Sequence, residues 1–149
     1  MTTPYDRSNQ GVISAGEAGA NYKEPRIKTI DTGYAVPGRL VIRDTDDKHV
    51  RVAGAGSAVV TGFLIPVPLH DSDVDFTTED LVRVGRGNCV VTLTLTTGQT
   101  AVEGADLYPA AHGALKTTAT GSERPIGKAD ESVTTSTLVE APIRVRWNQ

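Results

Sequence analysis

A single cysteine, Cys89, stands in the whole 149-residue sequence. That excludes an intramolecular disulfide and leaves a dithiol redox centre or a thiolate zinc site without partners. Cys89 lies in the apolar run CVVTLTL, where a free cysteine acts as a small buried hydrophobe. Long hydrophobic runs are missing too: none approaches the roughly 20 residues of a membrane-spanning helix. The opening MTTPYDRSNQGVISAG has no basic end ahead of an apolar core, so no secretory signal is expected and synthesis is placed in a cytoplasm. A basic excess is also lacking, since 15 Lys and Arg face 18 Asp and Glu for a net charge of −3, whereas a nucleic-acid-binding surface is normally basic. Neither a membrane nor a nucleic acid is therefore expected as a partner. Aromatics make up only 5% of the chain.

Glycine and threonine are abundant instead. β-Branched side chains fit a pleated, half-buried surface and glycine supplies tight corners, so the expected class is all-β, a small β-barrel or β-sandwich with very little helix. The length suits one domain. Residues 1–36 differ from the rest, because their apolar residues are scattered without period among glycines and prolines. They read as an extended N-terminal arm ahead of a β-domain at 37–149. Such an arm cannot bury enough apolar surface alone and gains order against a sister subunit or a foreign surface.

Beyond residue 36, short apolar runs alternate with turn signals. Strands are expected at 39–43, 49–53, 58–65, 81–84, 88–96, 101–108, 114–117, 125–129 and 137–147. In VVTLTLTTGQT, Val91, Leu93 and Leu95 fall on one face and Thr92, Thr94 and Thr96 on the other, the period-2 pattern of a strand buried on one side. In PIRVRWNQ, Ile143, Val145 and Trp147 oppose Arg144 and Arg146 in the same way. One helical turn is suggested by TTEDLVRV, where Thr77 and Asp80 have capping-box spacing. No repeat of fixed period is evident, which argues against a solenoid or propeller.

Several stretches invite a chemical reading and fail it. HDSDVDF sets His70, Asp71, Asp73 and Asp75 in the D-x-D-x-D spacing that opens a calcium loop, but Phe76 and Val82 stand where the turn glycine and bidentate glutamate belong. The acidic DTDDKH suits a hairpin turn. His49, His70 and His112 each lie beside turn residues with no second histidine at ligand spacing. GAGSAVV lacks the second glycine of a nucleophile elbow. GSERPIGKADES, 121–132, has the wrong glycine gap for a phosphate loop, and Ala129 stands where a hydroxyl would hold magnesium; its glycines suit a turn and a close strand approach. No catalytic, cofactor or metal residue is assigned, and the chain is expected not to be an enzyme. IDTGYAVPG resembles the I-D-x-x-Y segment of trimeric dUTP pyrophosphatases, where Asp31 would activate water and Tyr34 would lie against the deoxyribose. That family's earlier serine segment and glycine-rich C-terminal arm have no counterpart here, so this remains the enzyme alternative.

A wider resemblance runs from about Val36 to Trp147. In order come PGRLVIRDTDDKHVRVAGAG, TGFLIP, ADLYPAAHGALKTTATGSERPIGKADES and the closing APIRVRW. The pieces Leu107-Tyr108, Gly113-Ala114-Leu115-Lys116-Thr117 and Ile126-Gly127-Lys128-Ala129 keep the order of a signature of tailed-bacteriophage head-decoration, or cement, proteins, which the chain resembles. The resemblance implies a β-tulip-like domain and a homotrimer, bound to the major capsid protein on the outer capsid surface of the virion, where it staples the shell. Tyr5, Ile13, Tyr22 and Ile27 would then be the arm's apolar contacts to the capsid or a sister subunit. Another virion β-domain, in head completion, a tail or a fibre base, is the structural alternative.

Overall fold

The computed structural model describes residues 10–16, 26–27, 34–44, 48–57, 59–67, 70–71, 74–77 and 80–148. In chain order its strands are β1 (Ile13–Gly16), β2 (Arg26–Ile27), β3 (Leu40–Arg43), β4 (His49–Val52), β5 (Gly62–Ile65), β6 (Arg83–Gly85) and β7 (Cys89–Leu95), followed by β8 (Thr100–Ala101) and β9 (Asp106–Pro109). A 3₁₀ turn at Ala111–Gly113 leads to β10 (Leu115–Lys116), β11 (Gly127–Ala129), β12 (Val133–Thr134) and β13 (Ala141–Trp147). The chain is all-β, as its composition foretells.

The largest sheet has the order β1-β7-β10-β9-β11-β13, and β13 also pairs with β7. That last pairing closes β7, β10, β9, β11 and β13 into a five-stranded barrel, and closure removes exposed strand edges. The seam is long and unbroken, from Ala141↔Leu95 to Trp147↔Cys89. A second sheet, ordered β2-β4-β3-β5-β6, lies against the barrel. It curls, for the Ile27 N–H at one edge donates to the Asp80 carbonyl, just ahead of β6 at the other, at 2.9 Å. β8 and β12 form a separate two-stranded ribbon.

Alternation along β3 and β5 places one wall between two apolar cores. Leu40 and Phe63 point into the barrel-side core with Leu93, Leu107, Ile143 and Trp147. Their chain neighbours Val41 and Leu64 point the other way, to Ile27, Val50, Phe76 and Val84. Phe63 meets Trp147 edge to face, with ring centroids 5.0 Å apart, an arrangement the aromatic quadrupole favours.

Four expectations change against these strands. The run 101–108 is two strands rather than one, because a turn closed by Ala105 N–H to the Val102 carbonyl divides it. The run 137–147 starts its strand only at Ala141, since Ser136 Oγ accepts from the N–H groups of Leu138 and Val139 and holds a turn. At Thr77 the capping contact forms, with the Thr77 N–H donating to Asp80 Oδ2 at 2.8 Å, but residues 80–82 are not helical and the chain enters β6 at Arg83. Thr94 is 1% exposed rather than on an open face, because a segment from the N-terminal side covers it.

Candidate functional site

That covering segment is 10–16. β1 runs antiparallel to β7 with Ile13↔Val91, Ala15↔Val90 and Gly16↔Cys89, and the register shifts between Ile13 and Ala15. β10 takes the same edge of β7 further along, at Leu115↔Leu95. β1 therefore fills the stretch of β7 that β10 leaves open. Ahead of β1 the Gly11 N–H donates to the Thr92 carbonyl at 2.7 Å. The Gln10 side chain, 2% exposed, accepts from Thr94 Oγ at 2.9 Å. Gly38, at φ +89°, leaves the space that this side chain occupies, and at Gly11, φ +71°, a Cβ would strike the Leu64 carbonyl. Only glycine fits such a combination of positive φ and close backbone approach. Gln10 Nε2 is buried with no hydrogen-bond partner among the described residues.

A polar latch joins the two sheets nearby. Arg39, 1% exposed, sends Nη1 and Nη2 to the two carboxylate oxygens of Glu140 at 2.8 and 2.7 Å. Its Nη1 also donates to the His112 carbonyl at 3.2 Å. The guanidinium lies 5.2 Å from the centre of the Tyr34 ring, within cation–π range, and the His112 ring stacks on Tyr34 at 4.0 Å. His112 has φ +58°, a left-handed conformation uncommon outside glycine. The latch thus ties together the entry to β3, the 3₁₀ turn and the residue leading into β13.

GSERPIGKADES folds as a turn and a strand. Lys116 Nζ donates to Glu123 Oε1 at 2.8 Å and to Thr120 Oγ at 2.7 Å, and the Gly121 N–H donates to Glu123 Oε2 at 2.7 Å. Buried beneath its loop, Glu123 is held far below the usual carboxylate range, first by the Lys116 ammonium and then by backbone donors. At Gly127 a Cβ would strike the Arg146 carbonyl, the close strand approach that the sequence suggests. Further round the barrel, Asp130 takes both Arg144 and Arg146 at 2.9 Å, which lowers its pKa. Lys128, directly opposite Arg146, turns to Asp106 at 2.7 Å.

Of the contacts expected for the arm, Tyr5 and Tyr22 lie outside the described residues. Ile13 belongs to β1, across from Val91. Ile27 is fully buried in the second core of its own chain. Asp31 and Asp73 are likewise outside the described residues, and Tyr34 is engaged by Arg39 and His112. His70 stacks on Phe76 and its Nε2 contacts the Val74 carbonyl at 2.8 Å. Cys89 is buried, and burial pushes its thiol pKa up to about 11. Among the described residues, no group of His, Cys, Asp and Glu is placed to hold a metal ion, and no helix is long and apolar enough to cross a membrane.

Sequence reasoning missed Gln10, Arg39 and Glu140. Each is a polar residue whose burial depends on a partner distant in the chain, and local pattern carries no trace of that. No protein-family model matches the sequence, and comparison with curated proteins finds no match either.

Proposed function

We propose that this chain is a head-decoration protein of a tailed bacteriophage, binding the major capsid protein on the outer surface of the shell as a homotrimer and stapling neighbouring capsid subunits. One observation carries the reading. The three sequence pieces that resemble the cement-protein signature occupy strands that lie side by side. β10 pairs with β9 at Lys116↔Tyr108, and β9 pairs with β11 at Gly127↔Leu107. They form one continuous stretch of barrel wall, which supports reading them as one unit.

The charges support a binding role over a chemical one. Among the described residues, the most enclosed ionised groups, Arg39 with Glu140 and Lys116 with Glu123, are paired with each other and brace loops. The test is direct. Purified protein is expected to run as a trimer by light scattering and to co-sediment saturably with expanded capsids of its phage. A strict monomer that stays in the supernatant overturns the proposal.

A further inference from the structure

Segment 10–16 touches the rest of the molecule as a bound peptide would. Its backbone bonds go to β7, the buried Gln10 side chain reaches Thr94, and Gly11 passes beneath the Leu64 carbonyl. Among the described residues, the contacts it makes at Gly38, Leu64 and β7 belong to the later part of the chain. The slot would make the same contacts with the same segment from a second copy. Residues 17–25, which join β1 to β2, span about 30 Å if extended at ~3.3 Å each, long enough to reach a neighbouring subunit.

An assembly of copies needs an adhesive, and the described surface offers few apolar ones. The exposed large apolar residues Val12, Val59, Val74, Leu81, Val102 and Leu138 are spread over the stretch ahead of β1 and four different connections between strands. A strand added to a neighbour's β7 supplies main-chain hydrogen bonds and a register without any apolar patch. Exchange of an identical element creates no new surface, and its cost is low because each slot is refilled.

We propose that β1 is exchanged between copies: each subunit's segment 10–16 occupies the β7 slot of a neighbour. This rests on the homotrimer reading above and says what holds the trimer together. The native Cys89 provides the assay, since it pairs in register with Gly16, and cross-strand neighbours lie within reach of a disulfide. Gly16→Cys is introduced into the full chain, oxidised mildly, and run on a denaturing gel without reductant. Covalent oligomers of two or three copies, dissolved by reductant and absent in Gly16→Cys with Cys89→Ser, are the expected result. A bridge confined to single chains overturns exchange, and no bridge at all overturns the register on which it depends. Should Gly16→Cys fail to fold, Ala15→Cys with Val90→Cys in a Cys89→Ser background tests the adjacent pair in the same way. Capsid co-sedimentation of the wild type is scored separately. A trimer with bridges only inside single chains that still binds capsids sinks the exchange alone, whereas bridged oligomers that ignore capsids sink the decoration reading alone.

Discussion

At Arg39 a permanently charged guanidinium sits 1% exposed between a carboxylate and an aromatic ring. Burying the pair gains little against an apolar replacement, but removing one partner leaves an uncompensated charge. Glu140→Ala is therefore expected to lower the unfolding free energy by about 3–5 kcal/mol, read from urea denaturation. Arg39→Met combined with Glu140→Leu should recover most of that loss. Glu123 gives a pH-dependent counterpart. Its folded pKa lies below the ordinary value near 4.3, so it binds its proton more readily in the unfolded chain. Its contribution is whole above that ordinary value and is lost as the pH falls through the range beneath it. Lys116→Met removes the largest cause of the depression. The variant should have a lower urea midpoint at pH 7 and a shallower decline than wild type between about pH 4 and pH 2. Equal declines in the two proteins would show that other carboxylates, Asp130 among them, govern the acid limb.

At the scale of strands, legibility followed local periodicity. β7 and β13 were readable because Val91, Leu93 and Leu95, and Ile143, Val145 and Trp147, alternate over seven-residue strands. β8 and β12 are two residues each, too short to carry a period, and they exist because they pair with each other. β1 and β2 were hidden inside a stretch whose composition resembles an arm. They are strands because β7 and β4 offer open edges, which is a property of the fold and not of the sequence ISAG or RI. Glycine was the better guide at Gly127, where β11 and β13 approach too closely for a side chain. Gly127→Ala is expected to cost about 1–3 kcal/mol, as overpacking commonly does. Amide exchange should quicken in β11 and β13 before the second sheet is affected. Unchanged protection there would mean that the backbone shifts freely.

For the molecule as a whole, β3 and β5 serve both cores, so neither can melt while the other keeps its packing. Urea unfolding should follow a single transition. Trp147 fluorescence, which reports the barrel, should coincide with far-ultraviolet circular dichroism, which reports every strand. Separated midpoints would mean that the second sheet is an independent unit. The candidate site was the least legible feature at this scale. Gln10 meets a threonine 84 positions away and Arg39 a glutamate 101 positions away, separations at which a linear pattern carries no information.

The closing seam bears on how the protein is made. β13 follows every other barrel strand in the sequence, yet it pairs along the full length of β7, and Glu140 at its threshold completes the latch on Arg39. A nascent chain emerging in order must carry an unclosed barrel and an arginine without its carboxylate until β13 has been translated. Closure of this unit accordingly waits until β13 has emerged, and a ribosome stalled before β13 would hold a chain that cannot yet protect β7 from a neighbouring nascent chain.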